Sequence, residues 1–391
     1  MTNLYSNYFD NLIHLFPSMN DWLNLSDYSY LKNQYENTLD KNHIKNQKEL
    51  YKLYLNKLNK KKKHTVYDKC LHYILTENLK SYSFNFDLTP INHQDNFIVY
   101  LAEMASGDGI YLFDKKSDYI HFITKLTHFN SIIDSVINNM RVGINKKYTL
   151  PFIITQKLIE QCQELITNKS YINKNIKFKL DFDYNKTVKE LLEPPIHNLI
   201  HFLQNEYLKK SRKSIGMCDL PNGKKEYEHL VISSTTVKSI NVSQIHQYGL
   251  SEVARIYSSM NDIKDKLKFK GTLIEFNKYL RNRKDLNYKS KDELLKNYKD
   301  ELHSINNTIM KTQFHNNVKG KCLVLPVPSY NEDFSAEAYY MGGDLEMNRP
   351  GKFYINLKNI KENNKIEIES LTLHEANPGH HYQITYVNES K

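Results

Sequence analysis

The stretch SDYIHFITKLTHFNSIIDSVINNM, Ser117 to Met140, sets the fold class. Ile120, Phe122, Ile123, Leu126, Ile132, Ile133, Val136 and Ile137 recur at spacings of three and four, which gathers them on one face of a helix. Such a face needs other helices to cover it, and the flanking sequence offers them. Upstream, Tyr67 to Leu79 repeats the pattern. Residues 1–64 read as polar helices ending in Lys60 to Lys63, a solvated helix end or loop. Downstream, Pro151 opens FIITQKLIEQCQELI, and Glu193-Pro194-Pro195 is expected to start IHNLIHFLQNEYLKK. Ile172 to Tyr184 reads as strand or loop, and Gly216 to Gly223 as a turn-rich break. Further helices are predicted from Ser251 to about Leu267, over Phe276 to Leu280 and over Glu293 to Thr308. No repeat period or Gly/Ser/Pro linker divides the chain, so one mainly α body is expected.

The texture changes between Cys322 and Leu357, where LVLPVP, AYYMGG and GKFYINL read as short strands separated by turn residues. A small β element just before a motif-bearing helix is a common way to build a cleft, because a strand edge can hold an extended ligand.

The 391 residues carry 54 Lys and Arg against 44 Asp and Glu, a net charge of +10. Six are arginine (Arg141, Arg212, Arg255, Arg281, Arg283 and Arg349), so lysine supplies nearly all the positive charge. Base readers and phosphate clamps favour arginine's planar fork. Lys, Asn, Ile and Tyr share A/T-rich codons, so the charge reads as codon bias and no specific nucleic-acid partner is expected. Cys70, Cys162, Cys218 and Cys322 form no CxxC pair, which argues against a zinc ribbon and a disulfide framework. The start MTNLYSNYFDNLIHLF does not read as a signal peptide, and no run approaches the ~18 apolar residues that span a bilayer. A cytoplasmic protein without a membrane partner is expected.

The chemistry concentrates in LTLHEANPGHHYQ, Leu371 to Gln383, with His374, Glu375, His380 and His381 within eight residues. Histidine is the commonest metal ligand and a neighbouring glutamate the usual water-activating base. This is not a plain H-E-x-x-H, since Pro378 stands four residues after His374. In an unbroken helix His381 would lie within about 20° of His374 but about 10 Å further along, while His380 would point away. Pro378 and Gly379 predict a kink or bulge that brings His380 round. His374 and His380 are the favoured metal ligands, with His381 as an alternative ligand or as a donor that orients a ligand or the transition state. His197 and His201 are also four apart, but they lack an adjacent glutamate and are read as core histidines.

HEANPGHHYQ resembles the signature of the bacterial family known as domain of unknown function 885. MRVGINKKYTLPFIITQKLIEQC (140–162), STTVKSINVSQIHQYGLSEVARIYSSM (234–260) and EAYYMGGDLEMNRPGKFYINL (337–357) resemble the same family in the same order. The resemblance covers roughly residues 95–391 and leaves 1–94 as a divergent N-terminal helical region. It implies a large helical metallopeptidase-like body of the gluzincin and neurolysin kind. In that body Zn²⁺ would be held by His374 and one of His380 and His381, with Glu375 as general base acting on water whose pKa the metal lowers. The implied substrate is a peptide paired along the strand ending in Gly351 to Leu357, with Tyr339, Tyr340, Phe353, Tyr354 and Asn356 as its contacts. Tyr339, Tyr340 or His381 would donate to the oxyanion.

The family continues past the motif with a Glu-Gly-Trp-Ala-Leu-Tyr-Ala-Glu-like segment whose leading glutamate is the implied third zinc ligand. The one tryptophan here is Trp22, and the sequence stops at Lys391. The expectation is therefore a zinc-dependent peptidase domain incomplete at its C-terminus, either completed by a second chain or read from a truncated frame. The alternative is a decayed paralogue, a non-catalytic peptide-binding or scaffold protein.

Overall fold

The computed structural model describes residues 4–23, 25–107, 111, 113–327, 332, 335–343, 349–360 and 363–389. Residues 344–348, part of the third stretch that resembles the family, lie outside them.

The first helices are α1 (Leu4–Leu15), α2 (Met19–Leu23), α3 (Lys41–Asn59) and α4 (Val66–Ser81). Side chains set two of their starts. Asp40 accepts from the N–H groups of Asn42 and His43, and Thr65 with Asp68 forms a capping box. Tyr51, Tyr54, Leu58, Leu71 and Leu75 then pack α3 on α4. Lys60 to Lys63 lie at the end of α3, and Lys61 reaches Asp68 at 2.6 Å.

The predicted helix over 117–140 is interrupted. After α5 (Phe97–Ser106), α6 (Lys116–Leu126) and α7 (Phe129–Asn145) divide at Thr127 and His128. There Thr127 Oγ1 donates to the Thr124 carbonyl and Ser131 Oγ to the His128 carbonyl, local bonds that compete with a continuous helical ladder. Lys125, just before the break, is fully buried with its Nζ 2.6 Å from Asp21 Oδ1.

α8 (Phe152–Thr167) follows Pro151 as its sequence predicts. α9 (Tyr184–Phe202) corrects the sequence reading: it starts after Asp183, which accepts from the Lys186 N–H, and runs through Pro194 and Pro195. A proline in a helix interior costs about 3 kcal/mol. Here Val188, Leu192, Pro195, Ile196 and Leu199 are buried on a helix that packs against α6, α7 and α8, and this burial outweighs the local cost. His197 and His201 lie on the exposed side of α9 and are not core histidines. Ile172 to Tyr184 contributes no strand, and α10 (Gly223–Thr235) follows. Residues 1–245 form one compact unit and 246–391 a second, where the sequence suggested a single body.

α11 (Val242–Lys266), α12 (Leu273–Asn282), α13 (Lys291–Asn307) and α14 (Ile309–Gln313) lead to β1 (Cys322–Pro326), β2 (Ala338–Met341) and β3 (Gly351–Ile355). The three β-like stretches are thus strands, followed by α15 (Ile368–Glu375) and α16 (His380–Glu389). The strand order is β1-β3-β2, with β1 parallel and β2 antiparallel to β3. Tyr298, Leu302, Val324, Phe353, Ile355 and Ala376 lie at the centre of this unit's core. Among the described residues no helix is long and apolar enough to cross a membrane.

Candidate metal centre

The predicted kink is a full break between two helices. α15 packs on α13 and β2 and turns Thr372 and Glu375 inward. Its last helical bond runs from the Ala376 N–H to the Thr372 carbonyl, and the chain then leaves through Asn377, Pro378 and Gly379. The Asn377–Pro378 peptide is cis. Asn377 Nδ2 donates to Asn306 Oδ1 on α13 at 2.6 Å, which anchors the turn. Gly379 passes so close over the end of α15 that a Cβ would stand 1.8 Å from the His374 carbonyl oxygen. Only glycine fits there, and α16 begins at the next residue.

The break brings together three of the four motif side chains. The rings of His374 and His380 meet edge to face with centroids 4.8 Å apart, and His380 Nε2 lies 4.0 Å from Glu375 Oε2. The donor atoms of His374, Glu375 and His380 all fall within 4.8 Å of one another, and this is the one such group among the described residues. Both histidines are exposed and Glu375 is buried. His374 and His380 border an open cleft of about 530 Å³ with Leu373, Pro378 and Gln383.

The donor set fits a zinc ion. The two imidazoles suit it as ligands, and the carboxylate beside them suits the water such an ion binds; ligand bonds of about 2.1 Å would set tetrahedral donors roughly 3.3 Å apart, closer than the 4.8 Å within which the three groups now lie. Glu375 Oε2 is buried with no hydrogen-bond partner. An orphaned buried acceptor costs about 1–3 kcal/mol, more when charged, and a cation or an activated water is what would satisfy it.

His381 points the other way. It is 2% exposed, with Nε2 3.2 Å from the Gly320 carbonyl and Nδ1 2.9 Å from the Tyr340 hydroxyl and 3.3 Å from Thr385 Oγ1. Burial holds its imidazole below the ordinary histidine range, against the opposing pull of the Gly320 carbonyl. The far end of α16 is tied to the same loop, since Glu389 Oε1 accepts from the N–H groups of Lys319 and Gly320.

The residues expected to contact substrate are placed unevenly. β3 is the central strand and is paired on both sides, so the strand ending in Gly351 to Leu357 has no free edge for a peptide. This corrects that expectation. Phe353 is fully buried, edge to face with Tyr298 at 5.6 Å. Asn356 Nδ2 donates to the carbonyls of Glu332 and Ser335 and so braces a loop. Tyr354 is buried and stacks on Tyr339 of β2, with ring centroids 5.0 Å apart. Tyr339 and Tyr340 lie on β2, one of the two outer strands, half-buried. Asn306, Gly320 and Thr385, which hold the two motif helices, left no signal in the sequence because they stand outside or at the margin of the His-Glu pattern.

The family described as "bacterial protein of unknown function (DUF885)" matches residues 17–391. The chain belongs to that family. The family match begins well ahead of residue 95, where the resemblance by motif began. No curated protein matches the chain. Among solved structures, "the putative lipoprotein from Colwellia psychrerythraea" is similar at a TM-score of 0.84 with 19% identity, over 99% of this chain and 72% of that one. At that identity the likeness is one of fold.

Proposed function

We propose that this DUF885 protein is a zinc-dependent peptidase of the gluzincin kind. The observation that carries the reading is the convergence of His374, Glu375 and His380 across a helix break, with a buried carboxylate oxygen that nothing else satisfies. His374 and His380 would hold the ion. A bound zinc would supply Lewis acidity that makes water a nucleophile near neutral pH. Glu375, buried beside both imidazoles, would serve as the general base for a water and would pass the proton to the leaving amine. The cleft, open beside both histidines, would admit a chain from solvent, and the outer strands β1 and β2, rather than the central β3, are the ones on which an extended peptide could pair.

A catalytic zinc takes three protein ligands and keeps one open position. With Glu375 reserved as base, the described residues give two, and we propose that a further polypeptide section, on this chain's continuation or on a second chain, brings the third. The two-histidine count also favours the second reading, a peptide-binding scaffold without chemistry, whose affinity for peptide would be indifferent to chelators. The four free cysteines fit a reducing compartment, and the cytoplasm is the proposed location. Recovery of the protein in the membrane fraction would contradict it.

Hydrolysis of a quenched fluorescent peptide library by the zinc-loaded chain, assayed with and without a downstream polypeptide, tests the enzyme reading. Cleavage that disappears in Glu375→Gln while zinc is retained supports it. Chelator-independent peptide binding without cleavage in both settings contradicts it.

A further inference from the structure

We propose that His381 is a positioning residue that pins the first turn of α16 to the sheet so that His380 faces the cleft, and that it is not itself a ligand. This rests on the zinc reading above for its consequence, but the brace is a property of the metal-free chain. The Gly320 carbonyl can only accept, so the His381 Nε2 beside it carries the proton and has no lone pair for a metal. That leaves Nδ1 as the acceptor, and two hydroxyls, Tyr340 at 2.9 Å and Thr385 at 3.3 Å, stand ready to donate to it. Both ring nitrogens are thereby used by the protein.

Two glycines clear the space for this arrangement. A Cβ on Gly351 would come 2.0 Å from the Tyr340 hydroxyl and 2.9 Å from His381 Nδ1, and a Cβ on Gly320 would come 2.7 Å from Thr385 Cγ2. The brace therefore joins three separate segments: the loop before β1, strand β2 and the start of β3. Successive helical side chains diverge by about 100°. With His381 held inward by bonds at both ends of its ring, His380 is held outward, and turning it away would break those bonds. Tyr340 is the other half of the device, because its proton is committed to His381 and is not free for an oxyanion.

Titration of the full chain with Co²⁺ alone, read by its visible absorption bands, tests the assignment. Wild type is expected to take one ion. His381→Gln, whose amide can still donate to Gly320, and Tyr340→Phe should keep the stoichiometry and band positions with roughly 10-fold to 100-fold weaker binding, the range seen when a partner of a ligand is removed. His381→Leu should lose more than His381→Gln, and His380→Ala should lose the bands. Loss of the bands in His381→Gln, as in His380→Ala, would make His381 a ligand and overturn the proposal. Unchanged affinity in all three His381 and Tyr340 variants would overturn it too. If wild type takes up no cobalt, the zinc reading has failed. The brace is then decided by amide hydrogen exchange at Tyr382 and Gln383, whose N–H groups bond Ala376 and Gly379. Faster exchange in His381→Leu and Tyr340→Phe supports the brace, and unchanged protection overturns it.

Discussion

His380 Nε2 stands 4.0 Å from Glu375 Oε2, although the two residues belong to different helices. The carboxylate is buried and its Oε2 has no hydrogen-bond partner, so the metal-free chain compensates its charge poorly. Glu375→Gln keeps the shape and removes the charge. The variant is expected to be at least as stable as wild type in urea denaturation without metal, and a loss of more than about 1 kcal/mol would show that the carboxylate is satisfied by the fold itself.

Gly379→Ala is expected to damage the centre most severely for the smallest chemical change. The added carbon would sit 1.8 Å from a backbone oxygen of α15, which no rotamer relieves. Either the turn shifts or the helices separate. Metal affinity should fall at least tenfold and the melting temperature by several degrees, measured by metal titration and calorimetry. Unchanged values would mean that the break is not held where it is.

Asp21 and Lys125 form a fully buried ion pair in the first unit. Removing one partner from a buried pair leaves an uncompensated charge and costs about 3–5 kcal/mol, whereas replacing both with apolar residues of similar volume is far milder. Asp21→Asn should therefore lower the urea midpoint strongly, and Asp21→Leu combined with Lys125→Met should restore most of it. Equal losses in the single and double variants would contradict this.

Asp68 supplies a pH dependence. The Lys61 ammonium, the Thr65 N–H and the Tyr5 hydroxyl hold its carboxyl well below the ordinary value of 3.8. A carboxyl depressed in the folded state stabilises at pH values above its unfolded pKa and loses that contribution as pH falls through the folded one. Stability of the α3–α4 pair should thus decline below about pH 4, and Asp68→Asn should flatten that part of the profile, as followed by circular dichroism. A profile identical to wild type would contradict the assignment.

Local residue patterns announced many of the elements. The strands at LVLPVP, AYYMGG and GKFYINL, the helix after Pro151 and the break at Pro378-Gly379 were each legible because a turn residue or an apolar period marks them. The break between α6 and α7 was not, since it depends on hydroxyls at Thr127 and Ser131 that a helix also tolerates. The passage of α9 through Pro194 and Pro195 was hidden because tertiary burial decides it. At the site, His374, Glu375 and His380 could be read from spacing and a bend. The inward turn of His381 could not, because Gly320, Tyr340 and Thr385 meet it only through the fold. The central place of β3 was equally invisible, since strand order is not written in strand sequence.

Zinc stoichiometry of the purified chain, by competition with a chromophoric chelator, tests the central claim most directly. One zinc per chain in wild type, retained in Glu375→Gln and lost in His374→Ala and His380→Ala, is the result predicted. No zinc in wild type, even with a downstream polypeptide supplied, or zinc retained when both histidines are replaced, would contradict it.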